Sequence, residues 1–495
     1  MKNSSKKWIK ISSVTTAAVF FILILYWQNM KPDVAIIENI PGMDKPSGEI
    51  IQKIESIKIG EKFEKLTEET SSLNSAWSAF RGTDRKNIAT STISINENWD
   101  AKPPKLVWKA KMGEGHAAPA IWKGIAYILD YDEVKKEDVL RSFNIETGKE
   151  LWRRSYKVHL KRNHGMSRTV PAVTEKFIVT LGPRGHVMCM ERTSGNLLWV
   201  IDIEKEYESE IPFWYTGQCP LIDNETAIIA TGGKNLLIAV DCNTGKILWQ
   251  SPNEKKWKMS HSSVMPMIFE DVKMYVYAAV GGLCGIEAEG ENAGKILFEI
   301  TDFSPQVVAP SPVQLDKSRI FITAGYGAGS AVITIKKSDT NFLAKTEKKF
   351  TPGAGAASEQ QTPVMINGFM YIIMPKDAGA MKNQFICFHP SDCGKAVWSS
   401  GKKDRYGLGP YMVINDKFLI LNDDGTLTML KVSDKNFIKI TERKLFEGQD
   451  AWGPLAFADG YLLLRDSKNN PIDIKNNEDN CISCVISFWA KYLFS

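Results

Sequence analysis

Beyond its first 31 residues the chain has no excess of charge of either sign. Lys2, Lys6, Lys7, Lys10 and Lys31 carry the whole formal +5, no acid stands among them, and the remaining 57 bases meet 57 acids. A nucleic-acid-binding body shows a basic excess, so that class is excluded. Cysteine is sparse, eight in 495 residues, which excludes a small disulfide-built scaffold and leaves the pairing unreadable. No two cysteines are adjacent, and no C-x-x-C is followed by histidine as in a c-type haem site. Cys481 and Cys484 form one C-x-x-C with neither a second pair nor a histidine pair at zinc spacing, a weak metal or redox signal. Gly-x-Ser-x-Gly and P-loop phrases are missing. Gly325 to Ser330 is glycine-rich but lies between strand-like runs and reads as a hairpin. Helical periodicity over ten or more residues is absent from the body.

What the N-terminus does have is an uncharged run from Ile11 to Trp27, with Trp8, Tyr26 and Trp27 as the rings expected at two membrane interfaces. It predicts a transmembrane signal anchor within residues 1–30, single-pass in the cytoplasmic membrane, with everything after Lys31 on the extracytoplasmic or periplasmic side. A cleaved signal peptide is the alternative, but no small-x-small site follows Leu25 before Lys31. Residues 31–74, rich in Glu and Lys with Pro32, Pro41 and Pro46, predict a polar stalk.

The body repeats. A turn followed by an aromatic occurs as Glu146-Thr147-Gly148-Lys149-Glu150-Leu151-Trp152. It returns with Gly195 and Trp199, Gly245 and Trp249, Gly294 and Phe298, and Gly394 and Trp398. A second marker is a proline opening a short apolar run, at Pro119, Pro171, Pro220, Pro266, Pro312, Pro363, Pro410 and Pro454. The glycines of the first four copies step by 47, 50 and 49 residues and the prolines by 52, 49, 46, 46, 51, 47 and 44. Two unrelated markers with one period mean eight repeats. The runs inside each repeat are strand-length and bounded by Gly, Asn or Asp. The turn glycine takes a positive φ, and the aromatic on the returning strand faces the neighbouring repeat. The predicted fold is all-β, an eight-bladed β-propeller over residues 75–480. Trp108 resembles a docking aromatic without a turn before it, so residues 105–112 are expected to complete blade eight and close the ring. Residues 481–495 are set apart as a divergent apolar tail.

These phrases resemble the quinoprotein-like (PQQ-like repeat) eight-bladed propellers. The tryptophan-docking motif Asp-x-x-Thr-Gly-Lys-x-x-Trp of that family is matched by Asp241-Cys242-Asn243-Thr244-Gly245-Lys246-Ile247-Leu248-Trp249. Trp77-Ser78-Ala79-Phe80-Arg81-Gly82 resembles the opening of an exported subgroup. The resemblance covers about residues 75–466. It implies blade-docking roles for Trp108, Trp152, Trp199, Trp249, Phe298 and Trp398, and for Gly148, Gly195, Gly245, Gly294 and Gly394. The family holds both quinone-dependent dehydrogenases and non-catalytic scaffolds, including the lipoprotein B subunit of the outer-membrane barrel-assembly machine, so fold leaves function open.

A quinoprotein enzyme of that family would need PQQ beside calcium, an aspartate base and a flat stacking group, often a disulfide of adjacent cysteines. No adjacent pair exists and no Glu–Asn–Asp set stands out, so no catalytic or metal-binding residue is assigned and no cofactor is expected. PQQ with calcium belongs to the alternative, a quinoprotein dehydrogenase or small-ligand-binding propeller. Residues just before the prolines should gather at one channel mouth, giving His116, His164, Arg168, Gln218, His261, Gln360 and Trp452 as candidate ligand-binding residues. The competing reading is that they satisfy strand-end backbone groups around a wet channel. The expected function is a membrane-anchored, monomeric, non-catalytic scaffold with a protein partner in the envelope and no nucleic acid.

Overall fold

The repeat spanning Leu221–Pro252 shows how a local pattern becomes a blade. Its strands Leu221–Asp223, Thr226–Ala230, Asn235–Asp241 and Ile247–Pro252 form an antiparallel meander. The tight turn between the first two places Asn224 and Glu225 at φ 47 and 61, the two-residue hairpin geometry that matches strand twist. Asn235–Asp241 is buried along almost its whole length because both faces meet other sheets. Ahead of the outer strand the Asp241 carboxylate accepts from the Thr244 amide at 2.7 Å and hydroxyl at 2.8 Å. Gly245, at φ 72, sends its amide back to the Asp241 carbonyl at 2.8 Å.

A computed structural model of the chain describes residues 16, 18–27, 57–339, 341–466 and 482–487, the last six through their backbone alone. Eight sheets follow one another along it as the blades of a β-propeller. Numbered in chain order, blade 1 is built on residues 120–157, blade 2 on 172–202, blade 3 on 221–252, blade 4 on 265–300 and blade 5 on 313–350. Blade 6 spans 364–399, blade 7 spans 411–444, and blade 8 begins at residue 456. The eight marker prolines stand at or near the start of the innermost strands, where a missing N–H breaks no ladder. Innermost strands of blades 8, 1, 2 and 3 touch in succession. The core is a series of apolar layers between neighbouring sheets.

Blade 8 closes with early residues. Lys105–Lys111 is its outermost strand, paired antiparallel with Ile482–Ser487, which pairs in turn with Tyr461–Arg465. The third strand therefore comes from the region set apart as a tail, and the boundary at residue 480 moves outward. Residues 467–481 and 488–495 lie outside the described residues. The stalk boundary changes too, because Lys62–Lys65 is a further strand on the outer edge of blade 1, paired with Trp152–Ser155. That strand is exposed along its length, so no alternation of apolar and polar residues announces it. Residues 18–27 are helical. Among the described residues no helix is long and apolar enough to cross a membrane, and most of the proposed anchor and residues 31–56 of the stalk lie outside them.

The docking aromatics lean on the turn of the next blade. A Cβ on Gly148 would lie 2.4 Å from Trp108, one on Gly245 2.8 Å from Trp199, and one on Gly294 2.9 Å from Trp249. The indole N–H groups of Trp108 and Trp199 donate to the carbonyls of Ile145 and Cys242 at 2.8 and 2.9 Å, inside those same turns. Trp398 donates to Ser433 at 2.9 Å. Gly195 receives Phe63, with Trp152 behind it. Phe298 instead packs over Gly285 in its own blade, and Phe350, absent from the expected set, approaches Gly394. Gly394 lies inside the strand Asp392–Ser399 rather than in a left-handed turn, so its use is close approach alone.

Candidate functional site

Around the axis the blades are pinned by a relay of pre-proline side chains. The Val170 amide donates to the Cys219 thiol (3.2 Å), the Cys219 amide to the Ser263 hydroxyl (2.9 Å), the Ser263 amide to Ser311 (3.0 Å), and the Ser311 amide to Thr362 (2.8 Å). Each blade from 2 to 5 thus hands a backbone donor to the next. Sequence reasoning missed this relay, although Cys219, Ser311 and Thr362 each stand immediately before a marker proline.

A second device crosses the axis. The segment Ala76–Ala89 starts paired with the inner strand of blade 1 and ends as Ile88–Ala89, parallel to Val413–Ile414 of blade 7. Between them the Arg81 guanidinium donates to the carbonyls of Thr362 (2.7 Å) and Pro363 (2.8 Å) in blade 6. Arg85 donates to Val264 in blade 4 at 3.1 Å and to Pro220 in blade 3, and the Asn87 amide donates to Tyr411 in blade 7. Arg81, Arg85 and Asn87 take φ of 65, 58 and 65, a left-handed conformation held by these bonds. Among the described residues both guanidiniums bond only carbonyl oxygens, and burial pushes each down to about 10.

Beside this plug lies a cavity of about 350 Å³. Six candidate residues, His116, His164, Arg168, His261, Gln360 and Trp452, line it together with Trp214, Tyr326, Glu359 and Lys376. Gln218 is not among them. It is wholly buried, its amide donating to the Ala230 carbonyl and accepting from the Ala230 amide at 3.1 Å, so it caps a strand end. That pairing was invisible because both partners lie on the far side of the blade 3 turn from Gln218.

His116 is 6% exposed; its Nε2 donates to the His164 carbonyl at 3.1 Å, and its ring stacks on Trp452 with centroids 5.3 Å apart. Burial first, then Arg168 and Arg465, pushes His116 down to about 3. Burial and Arg168 push His261 to about 4. Both are neutral bases at neutral pH. Trp452 donates to Asp423 at 2.9 Å, and Lys376 lies over its indole at 5.6 Å. Elsewhere in the lining Trp214 stacks on Tyr326, centroids 5.9 Å apart, with Phe213 edge-on at 5.5 Å. Phe213 is 78% and Tyr326 68% exposed.

The donor set does not fit a quinone held by calcium. A hard divalent cation takes six to eight oxygen ligands with several carboxylates, whereas the lining offers one carboxylate, Glu359, against Arg81, Arg168 and Lys376. Among the described residues no three His, Cys, Asp or Glu side chains are placed to hold a metal, so His116, His164 and His261 share a cavity without forming a ligand set. The lining thiol, Cys219, is engaged by Val170 and raised by burial, and Ser263 is engaged by Cys219. Aromatic faces, amides and cations suit binding rather than nucleophilic chemistry.

A family model described as outer membrane protein assembly factor BamB matches residues 135–400. No curated protein matches the chain. Among solved structures, a europium-containing methanol dehydrogenase aligns with a TM-score of 0.57 at 11% identity, over 83% of this chain and 98% of that one. The quinohemoprotein alcohol dehydrogenase from Comamonas testosteroni gives 0.52 at 11% identity, over 83% and 80%. BamB from Moraxella catarrhalis gives 0.48 at 11%, over 78% and 100%. At these identities the two dehydrogenases share the fold and carry nothing about chemistry.

Proposed function

Since the chain belongs to the PQQ-like repeat propeller family described as outer membrane protein assembly factor BamB, we propose that it is a non-catalytic protein-interaction scaffold for envelope assembly. In this reading an N-terminal helix anchors it in the cytoplasmic membrane and the propeller works on the extracytoplasmic side. The observation that carries the proposal is the plug. The chain's own Arg81 and Arg85 cross the axis and bond carbonyls just ahead of the inner strands of blades 3, 4 and 6, filling space there with side chains of the protein itself. The single lining carboxylate gives a calcium–quinone pair no support. The exposed aromatic rim of Phe213 and Tyr326 is the kind of surface that anchors a protein partner.

The test places a photocrosslinking amino acid at Phe213 in living cells and identifies adducts by mass spectrometry. Discrete adducts with an envelope-assembly component are expected. Absence of adducts, together with quinone absorbance and dye-linked alcohol oxidation when PQQ and calcium are added to the purified chain, would overturn the scaffold in favour of the dehydrogenase alternative.

A further inference from the structure

The cavity's charges are unevenly spoken for. Lys376 faces Asp423 and Asp450, whose carboxyls it influences. Arg81 is committed to blade 6. Arg168 is different: its Nη2 donates to the carbonyls of Asn163 (3.2 Å) and His164, which fixes the fork. Glu114, whose charge acts on it, is already paired with Arg162. Arg168 therefore presents a half-buried guanidinium with no carboxylate of its own among the described residues. Glu359 lines the same cavity and would repel a second negative charge. Among the described residues, one cation without a carboxylate partner facing one acid selects a monoanion that also carries N–H donors, rather than a phosphate dianion or a polycarboxylate.

The cavity does not end at its lining. Phe213 and Tyr326 carry the aromatic surface of Trp214 outward into solvent, so the occupant extends beyond about 350 Å³. A chain end has these properties: a terminal carboxylate, backbone N–H groups, a side chain for the ring faces, and more chain behind. Building on the scaffold reading, we propose that the axial cavity receives the C-terminal residue of a partner polypeptide. The terminal carboxylate sits on Arg168, an aromatic last side chain lies between Trp452 and Trp214, and Glu359 and Gln360 accept from the peptide's N–H groups.

The experiment uses the purified full chain in detergent and a fluorescein-labelled hexapeptide ending in phenylalanine, read by anisotropy. The free acid is expected to bind about tenfold more tightly than the C-terminal amide, the value of one charge-assisted hydrogen bond. Arg168→Gln should erase that difference. Because Arg168 also holds a loop, Tyr326→Ala provides a second variant: this residue lies at an exposed hairpin, and its loss should weaken both peptides with an unchanged melting temperature. Equal binding of acid and amide would overturn the proposal, as would phenylacetate competing as tightly as the peptide, which would mark a small-anion site. Crosslinks at Phe213 without peptide binding would sink this inference and leave the scaffold standing, whereas peptide binding without crosslinks, joined to dye-linked alcohol oxidation with PQQ and calcium, would do the reverse.

Discussion

Asp138 should give the protein a pH dependence that one substitution removes. The carboxyl is wholly buried between blades 1 and 2 and accepts the Tyr156 hydroxyl at 2.8 Å through Oδ2. Burial raises it to about 7 from 3.8, a difference of about 4 kcal/mol at about 1.4 kcal/mol per unit. Its folded pKa lies above the unfolded one, so its contribution is complete below 3.8 and is lost as pH rises through 7. Next along the chain of bonds, His186 Nδ1 meets the same hydroxyl at 3.0 Å. Burial lowers His186 to about 4 from 6.5, so its contribution of about 3 kcal/mol holds above 6.5 and is lost as pH falls through 4. Between pH 4 and 6.5 the two slopes oppose and the wild-type profile is nearly flat. Asp138→Asn mimics the protonated acid and leaves the histidine slope alone. Urea denaturation across pH 4.5 to 8 should show the variant more stable than wild type by about 2–4 kcal/mol at pH 8, the gap closing toward pH 4.5. Parallel profiles for the two proteins would refute the assignment.

Three substitutions separate packing from backbone strain and structure from binding. Gly245→Ala places a methyl 2.8 Å from Trp199 at φ 72, whereas Gly368→Ala meets nothing within 4 Å at φ 78. Equilibrium denaturation should show the first losing about 2–4 kcal/mol and the second only the backbone part, about 1 kcal/mol. Gln218→Ala leaves the Ala230 amide and carbonyl buried without partners; a loss of about 2–4 kcal/mol is expected, with peptide affinity at the cavity unchanged in anisotropy.

The ring was legible because its markers are local. A glycine at positive φ and a proline at a strand start are demands of a few residues on themselves, so they repeat wherever the blade does. Trp108 could be assigned to blade 8 for the same reason: it lacked a turn of its own. Phe63 and Phe350 were missed because neither follows a Thr-Gly turn, and they reach a neighbouring glycine from strands with no repeat phrase. The approximate gathering of His116, His164, Arg168, His261, Gln360 and Trp452 followed from their position before inner strands. What chemistry they face did not, because it depends on contacts such as Arg81 to Thr362, 281 residues apart.

The relay and the plug meet on blades 3, 4 and 6, and the plug alone reaches blade 7. Side chains able to accept stand before the inner strands of blades 3 to 6, as Cys219, Ser263, Ser311 and Thr362, while the corresponding positions of blades 7, 8 and 1 hold Gly409, Gly453 and Ala118. Where the relay stops, the plug supplies the link: the Val413 and Asn415 amides of blade 7 donate to the carbonyls of Asn87 and Ala89 at 3.0 and 2.9 Å. Native-state hydrogen exchange separates the two devices, because each protects different amides. Arg81→Met frees the plug from blade 6 and should speed exchange at Val413 and Asn415. Cys219 and Ser263 should stay as slow as in wild type, since Arg81 bonds neither blade 4 nor blade 5, where their acceptors Ser263 and Ser311 lie. Ser311 instead donates to Thr362, whose carbonyl Arg81 itself holds, and should speed up with the plug. Acceleration at all five amides together would mean that the relay depends on the plug, and that one cooperative unit, rather than two, surrounds the axis.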